Sequence, residues 1–303
     1  MTAALPSSTA LLLRAHAAVL AAAVLFGTTF VVVRDAVAEV QVVPFLAVRF
    51  LVGAAVLAPF ARGVRRPPGL ARAGVACGLV LLAGYLLQTV GLQYTSTSVS
   101  AFITYLLVVM VPVMSAVALH RPPTRATAAG VVLAAGGLFL LTGADPSLGR
   151  GELLTLGCAV AFAVHIVLLA ELAPRHPAVP LTAVQLLVVG GACLVPGAFL
   201  GGYGFPARAW LAAMYTGVAV SALGFGLQVW GQRRVGPTRT SLLLMVEPVA
   251  AAGVGHLVGE RLGWQGGAGA GLILAGILVA EAPLAAAVRR RSAGADIGAA
   301  SRG

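Results

Sequence analysis

A short sequence that occurs twice decides the fold: VPFLAVRFLV at residues 43–52 and VPLTAVQLLV at residues 179–188. The same shift of 136 positions (179 minus 43) also places Phe26 over Phe162 and Pro112 over Pro248. Chance matches are common in apolar sequence, but one shift that recurs in separated segments indicates an internal duplication.

Composition shows the environment in which the duplicated units fold. Of the 303 residues, 59% are hydrophobic and 10% are charged, and the mean hydropathy is +0.98. A soluble domain carries about 25% charged residues, so an ordinary soluble enzyme is excluded. A membrane-spanning helix uses about 20 apolar residues, and the apolar runs between Arg, Pro, Gly and Asp clusters predict ten spans, from 15–34 to 266–288. We therefore predict an all-α integral membrane protein with ten transmembrane helices.

Ten spans and one duplication divide the chain into two five-helix repeats. We place the first repeat at residues 1–146 and the second at 147–290, and we expect residues 291–303 to form a disordered cytoplasmic tail. Because five is odd, the second repeat enters the membrane from the opposite side, which gives inverted-topology repeats. That arrangement is typical of secondary transporters, in which a site near the midplane opens alternately to each side.

The charges orient the helices. All 20 basic residues are Arg, and with 9 acidic residues the net charge is +11. They lie in short groups between apolar runs and not on one solvated face, so we expect no nucleic-acid partner. With a cytoplasmic N-terminus, 15 Arg fall on the cytoplasmic side and 4 on the other, with Arg49 inside a span. The positive-inside rule then predicts a multi-pass protein of the plasma membrane, the inner membrane in bacteria, with both termini cytoplasmic.

Motifs for catalysis are missing from the sequence. It contains no HExxH, GxSxG or GxxxxGK[ST] motif and no pair of acidic clusters suited to a metal-bound diphosphate. The cysteines Cys77, Cys158 and Cys193 each stand alone in an apolar run, which predicts buried, inert thiols. We therefore predict no enzyme activity, no catalytic residue, no metal site and no cofactor.

Polar residues within the spans are the candidates for a solute site. An ionised group at the bilayer centre costs at least ~2.5–3.5 kcal/mol, so such groups should face a cavity or each other. For Arg49 a snorkelling or helix-packing role is an equal alternative. For Glu247 the alternatives are capping of the carboxylate by neighbours and a carboxyl group that stays protonated. For His165 a hydrogen bond to a neighbouring helix is the favoured interpretation. The candidate cavity residues are Thr28, Thr29, Arg49, Tyr85, Gln88, Tyr105, His165, Gln185, Gln228 and Glu247.

Proline and glycine mark helix geometry. Pro112 and Pro248 occupy matching positions of the fourth and ninth spans, where each removes a backbone hydrogen bond, so both are candidates for helix kinks or gating. The alternative is that membrane helices simply tolerate proline. The glycine pairs Gly130–Gly137 and Gly269–Gly276 are spaced by seven residues and are predicted to let helix backbones approach closely.

Several stretches together resemble a known family. They are GLQYTS at residues 91–96, AFIT at 101–104, QRRVGPTRT at 232–240 before Glu247-Pro248-Val249, and GER at 259–261 before a Gly-rich last helix. In this order they resemble the ten-span EamA-type carriers of the drug/metabolite transporter superfamily. The resemblance covers the chain from the first span to residue 288.

The resemblance implies a function, and this chain departs from the family pattern at two positions. It implies a secondary transporter that exports a small organic metabolite, an amino-acid-like compound or a drug, by alternating access around a central cavity. By this similarity Arg49 matches the Arg of the family's second helix, and Glu247-Pro248 matches its penultimate-helix signature. The family often has Trp-Gly where this chain has Phe26-Gly27, and an acidic residue where it has His120-Arg121.

Two alternatives to a carrier stay open from the sequence, a membrane channel or facilitator and a non-transporting membrane scaffold. The expected partners are a small-molecule solute and the lipid bilayer, and a second copy of the chain, as a homodimer, is a candidate.

Overall fold

The computed structural model describes residues 8–28, 32–33, 36, 39–95, 97–143, 149–257 and 263–300, with residues 8–9, 97–98 and 284–300 described by their backbone alone. Within these ranges ten helices are long and apolar enough to cross a membrane, and no strand occurs. We number them α1 to α10 in chain order. Their bounds are Ser8–Gly27 (α1), Val42–Ala61 (α2), Leu70–Gly91 (α3), Thr97–Tyr105 with Leu107–Leu119 (α4), Arg125–Thr142 (α5), Arg150–Leu172 with a 3-10 turn Ala173–Arg175 (α6), Ala178–Phe199 (α7), Ala207–Tyr215 with Thr216–Gly224 and Phe225–Val235 (α8), Pro237–Leu244 with Val246–Leu257 (α9) and Trp264–Ala300 (α10).

Two helix ends differ from the predictions. Helix α1 ends at Gly27 and not at residue 34, and glycine, whose helix propensity is below that of every residue except proline, is a common point for a helix to end. Helix α10 continues to Ala300, so residues 291–300, which we predicted to be disordered, are helical. This stretch is rich in alanine, the strongest helix former.

Helices α1–α5 and α6–α10 form two five-helix repeats of inverted topology. The predicted fold class is confirmed, since each repeat contributes five of the ten spans. Helix α2 packs on its counterpart α7, and α5 packs on its counterpart α10. The contact of α3 with α6 is matched by the contact of α8 with α1. The interface between the repeats therefore has the pseudo-two-fold symmetry that the duplication requires.

Glycine allows the close contact between α5 and α10. A Cβ atom on Gly137 would lie 2.6 Å from the carbonyl oxygen of Gly269, and one on Gly276 would lie 2.6 Å from the carbonyl oxygen of Gly130. Any larger residue would force the backbones apart. The predicted packing role of the four glycines is confirmed.

The register between the repeats shifts in α8. A Cβ atom on Gly78 of α3 would lie 2.8 Å from Val188 Cβ, and one on Gly217 of α8 would lie 2.6 Å from Val52 Cγ1. Val188 and Val52 are counterparts by the shift of 136, so Gly78 corresponds to Gly217, a shift of 139 (217 minus 78). The single shift of 136 read from the sequence therefore does not apply to this helix.

A π-helical segment, Thr216–Gly224, adds one more residue within α8. At the last residue of this segment, a Cβ atom on Gly224 would meet the ring of Phe26, as one on Gly84 of α3 would meet the ring of Phe162. These equivalent contacts set the shift at 140 (224 minus 84) for the rest of the helix. A π-helical turn commonly results from the insertion of one residue into an α-helix, and such turns are frequent at functional sites.

Candidate functional site

A cavity of about 290 Å³ lies between the two repeats. Its lining comes from helices α1 to α4, α6, α8 and α9 and from Val33. The lining residues are Phe26, Val33, Val42, Phe45, Leu46, Arg49, Leu81, Tyr85, Gln88, Thr89, Leu92, Ser100, Ala101, Thr104, Tyr105, Leu107, Phe162, His165, Ile166, Val220, Phe225, Gln228, Leu244 and Glu247.

The cavity extends towards one side of the membrane. Consecutive spans cross in opposite directions, so the end of α1, the start of α2, the end of α3 and the start of α4 share a side, which we call the opening side. Repeat 1 lines the cavity there with Val42, Phe45, Leu92 and Ser100. Repeat 2 contributes residues from the middle parts of α6, α8 and α9, which form the floor. We call the other side, where α1 begins, the closed side.

Arg49 places a cation in the cavity wall. The side chain is 4% exposed, and its Nε donates to the Ser221 hydroxyl at 3.2 Å. Its guanidinium carbon lies 5.4 Å from the ring centroids of both Phe50 and Tyr85. Among the described residues no carboxylate comes within ion-pair distance of this guanidinium. The contacts hold the side chain in place while leaving its charge available to an anion.

Two pairs of aromatic rings form symmetric parts of the cavity wall. Phe26 packs against Phe225 with ring centroids 5.1 Å apart, and Phe162 packs against Tyr85 at 5.5 Å. Phe26 and Phe162 are counterparts by the shift of 136, and Tyr85 and Phe225 are counterparts by the shift of 140. The two pairs are thus equivalent contacts, and they differ by one hydroxyl, that of Tyr85.

Glu247 brings a carboxyl group to the cavity from α9. It lies in the first turn of the second half of α9, just after the interruption at Met245. The helix dipole favours a negative charge at this position, and Pro248 needs no hydrogen-bond partner there. Tyr105 and Arg49 line the same cavity as this carboxyl group.

Helix α4, the counterpart of α9, is also interrupted, at Leu106, three residues before Val109, which the shift of 136 pairs with Met245. Both α4 and α9 therefore present the N-terminal end of a half-helix to the cavity, where Leu107 and Glu247 line it. Pro112 and Pro248 follow these interruptions within the second segments and are buried, outside the cavity lining. Their kinking or gating role stays a prediction.

His165 meets the cavity from α6 with a fixed hydrogen bond. Its Nε2 lies 2.8 Å from the Gln185 side-chain oxygen, while the Gln185 amide nitrogen donates to the Leu181 carbonyl at 3.2 Å. Gln185 therefore accepts from Nε2–H, which leaves Nδ1 of a neutral ring as an acceptor. Gln185 itself lies behind His165, away from the cavity.

Gln88 and Gln228 are equivalent residues in the two repeats, by the shift of 140, and both line the cavity. The Gln88 amide donates to the Thr104 hydroxyl at 3.5 Å. Gln228 is 3% exposed and lies at the level of the floor. The pair supplies amide groups on both halves of the site.

Most of the predicted polar residues come together in this cavity. Those that line it are Arg49, Tyr85, Gln88, Tyr105, His165, Gln228 and Glu247. Gln185 is behind the wall, and Thr28 is bonded instead to the Tyr215 hydroxyl at 2.8 Å and to the Leu25 carbonyl. Thr29 falls outside the described residues. Cys77, Cys158 and Cys193 are free and buried, as predicted.

Sequence reasoning did not identify the apolar part of the site or the partner of Arg49. Phe162 and Phe225 look like any other aromatic residue in an apolar run, although the match of Phe26 to Phe162 was a usable signal. Ser221 lies in the π-helical segment, 172 residues from Arg49 in the chain. Nothing in its local sequence marks it as a partner.

Comparison with protein families finds one similarity that spans both repeats. A model described as the EamA-like transporter family matches residues 13–143 and 149–281. The two stretches meet between α5 and α6, so the model matches each five-helix repeat once.

Two curated proteins of Archaeoglobus fulgidus, each described as an uncharacterized transporter, are similar to this chain. One is 29% identical over 267 residues, which is 88% of this chain and 95% of the relative. The other is 31% identical over 149 residues, so the match spans about half of each protein, 49% of this chain and 46% of the relative. A solved structure titled only as the crystal structure of a protein has a TM-score of 0.76 at 22% identity and covers 88% of this chain and 97% of its own. That likeness concerns the fold alone.

Proposed function

Because the chain belongs to the EamA-like transporter family and forms ten membrane-spanning helices, we propose that it is a secondary transporter of a small organic metabolite. The solute is an amino-acid-like compound or a drug of similar size, and it moves by alternating access around the central cavity. Its energy comes from a gradient, since no nucleotide-binding motif is present in the sequence.

The observation that carries this proposal is the separation of charges in the cavity. Arg49 offers a cation from α2, and Glu247 from α9 with Tyr105 from α4 offers a carboxyl group and a hydroxyl. The rings of Phe26, Phe162 and Phe225 supply an apolar surface between them. A zwitterion with an apolar side chain matches all three features.

The half-helix ends support the same solute class. The N-terminal ends of the second segments of α4 and α9 carry partial positive charge at the middle of the membrane. Interrupted helices in corresponding positions of inverted repeats are typical of the substrate sites of secondary transporters. The carboxylate of the solute binds Arg49 in this arrangement, and its ammonium group binds Glu247.

The proposed direction is export from the cell, by analogy with the family. The proposed location is the plasma membrane, the inner membrane in bacteria, with both termini cytoplasmic, because 15 Arg lie on that side against 4 on the other. The opening side of the cavity then faces the cell exterior.

A screen identifies the solute and tests the proposal. Cells with the protein and cells with Arg49→Gln are grown against a panel of amino acids, amino-acid analogues and drugs, and intracellular solute is measured by mass spectrometry. The proposal predicts higher tolerance and lower intracellular concentration of at least one zwitterionic solute in wild-type cells only. Equal tolerance across the whole panel contradicts it.

A channel is the second candidate, favoured by the solvent-facing opening of the cavity. Purified protein in proteoliposomes separates the two. A carrier gives flux that saturates with solute concentration and uptake that speeds up when the same solute is preloaded, whereas a channel gives neither.

A further inference from the structure

Two polar side chains near the closed side of the membrane are buried with an atom left unpartnered. Thr182 and Gln232 are each 1% exposed. The Thr182 hydroxyl oxygen and the Gln232 side-chain oxygen have no hydrogen-bond partner among the described residues. Buried polar atoms in folded proteins are nearly always bonded, so each exception calls for a physical reason.

The repeat symmetry supplies that reason for Thr182. Its counterpart in repeat 1 is Leu46, by the shift of 136 (182 minus 46), and Leu46 lines the cavity on the opening side. Thr182 occupies the same position in α7 that Leu46 occupies in α2, but at the other side of the membrane.

The same relation holds for Gln232. Gly231 packs against Ala15 and Val19 as Gly91 packs against their counterparts Gly151 and Thr155. The shift in this part of α8 is therefore 140 (231 minus 91), which makes Gln232 the counterpart of Leu92. Leu92 also lines the cavity on the opening side.

Gln232 lies directly beneath the cavity floor. Its amide nitrogen donates to the backbone carbonyl of Ile166 at 2.5 Å, and Ile166 lines the floor. A third residue completes the set: Thr240 is fully buried, and by the shift that joins Pro112 to Pro248 it is the counterpart of the cavity residue Thr104.

We propose that Thr182, Gln232 and Thr240 line a second pathway for water and solute, which reaches the cavity floor from the closed side and is shut in this structure. The inference rests on the proposed function, because a carrier with inverted repeats exchanges the conformations of its two halves. In the exchanged state repeat 2 lines the entrance and repeat 1 forms the floor.

The second pathway differs from the open one in chemistry. Leu46 and Leu92 are apolar, whereas their counterparts Thr182 and Gln232 carry a hydroxyl and an amide. In the exchanged state these groups contact water or the polar end of the solute, and the two unpartnered oxygens gain hydrogen bonds. The wall of the pathway from the closed side can therefore hydrogen-bond to water or to polar, uncharged groups of the solute.

Cysteine accessibility tests the pathway in the full-length protein. In a background with Cys77, Cys158 and Cys193 replaced by Ala, single cysteines are introduced as Thr182→Cys and Gln232→Cys. Leu46→Cys and Leu92→Cys report the open side. Val189→Cys is the matched control, because Val189 lies on α7 with Thr182 and is fully buried, and its counterpart Gly53 does not line the cavity.

Labelling uses a membrane-impermeant maleimide on vesicles of each orientation. Arg66→Cys and Gly204→Cys, which are exposed in loops on opposite sides, establish which side the reagent reaches. The pathway predicts that Thr182→Cys and Gln232→Cys react from the closed side only, at least about tenfold faster than Val189→Cys, because thiol reactivity requires exposure. Leu46→Cys and Leu92→Cys react from the opening side only.

The inference is overturned if Thr182→Cys and Gln232→Cys label no faster than Val189→Cys while Leu46→Cys labels readily. Size-exclusion profiles identify any variant that fails to fold. If Gln232→Cys fails to fold, Thr182→Cys alone tests the pathway, because Cys and Thr are similar in size. Solute flux measured on the same vesicles distinguishes failure of the second pathway from failure of the proposed transport function. Flux without closed-side labelling contradicts the second pathway, whereas labelling without flux of any panel solute contradicts the proposed function.

Discussion

The guanidinium of Arg49 and the hydroxyl of Ser221 form a hydrogen bond of 3.2 Å across the interface between the two repeats. Arg49 lies in the repeated stretch of α2, and Ser221 lies in the π-helical segment of α8. A residue from each half thus builds the cationic part of the cavity, and the inserted residue of α8 lies in the segment that provides the partner.

Replacement of Arg49 by Gln should reduce transport strongly, whereas Ser221→Ala should weaken it less. Hydrogen bonds to a charged group contribute about 1.5–3 kcal/mol, so loss of the guanidinium should reduce solute affinity at least about tenfold. Ser221→Ala removes the positioning bond and keeps the charge. Flux as a function of solute concentration measures both effects. Unchanged flux in Arg49→Gln would remove this residue from the site.

The aromatic wall can be disturbed at one glycine. A Cβ atom on Gly224 would lie 2.6 Å from Phe26 Cε1, so Gly224→Ala should push the Phe26 ring into the cavity, at a strain of about 1–3 kcal/mol. We expect a lower solute affinity and a preference for smaller solutes. Gly226→Ala is the control, because nothing lies within 4 Å of a Cβ at that position. Equal solute preference in the two variants would show that this wall does not shape the site.

Helix packing between α5 and α10 should depend on one glycine and not on its neighbour. Gly137→Ala places a methyl group 2.6 Å from the Gly269 carbonyl oxygen, whereas Gly136→Ala meets only Leu272, at 3.7 Å. Overpacking costs about 1–3 kcal/mol, so Gly137→Ala should lower the melting temperature of purified protein by several degrees. Gly136→Ala should leave it unchanged or raise it slightly, since Ala favours helix. Similar melting temperatures would mean that α10 packs elsewhere.

An ion cluster joins α1, α9 and α10 at the closed side. The Glu281 carboxylate lies 3.2 Å from His16 Nε2 and 3.7 Å from Arg239 Nε, and its side chain is 18% exposed. Glu281→Gln leaves partly buried basic groups without their counter-ion, which should destabilise the fold by about 1–3 kcal/mol.

The exposed ion pair Glu171–Arg175 provides the comparison for Glu281→Gln. Its side chains are 41% and 67% exposed, and exposed pairs contribute about 0–1 kcal/mol. Glu171→Gln should therefore barely change the melting temperature. A larger loss in Glu171→Gln than in Glu281→Gln would contradict the structural role of the cluster.

The sequence was sufficient to predict the ten spans, the duplication and the ionisable residues that line the candidate cavity. Those features depend on rare residues in an apolar chain, and Arg49, His165 and Glu247 must avoid lipid wherever they lie. Which face of a helix meets a cavity was harder to predict, because lipid-facing and interior faces are equally apolar in a membrane. Phe225 lines the cavity but was not predicted to do so, whereas Gln185 was predicted to line the cavity and lies behind its wall.

Register was the other feature that could not be predicted. A shift of 136 describes α1 and α2, and α4 at Pro112, with their counterparts, but in α8 the shift is 139 at Gly217 and, after one more residue in the π-helical segment, 140 at Gly224. With the constant shift Tyr85 corresponds to Ser221. The packing of glycines against rings shows that its counterpart is Phe225.

The central claim is that this chain carries a zwitterionic solute through a cavity built around Arg49. Counterflow in proteoliposomes tests it most directly, with wild-type protein and Arg49→Gln compared on the solute found by the screen. The account predicts saturable uptake that accelerates when unlabelled solute is preloaded, and no such acceleration in Arg49→Gln. Uptake that rises linearly with concentration, ignores preloading and persists in Arg49→Gln would contradict it.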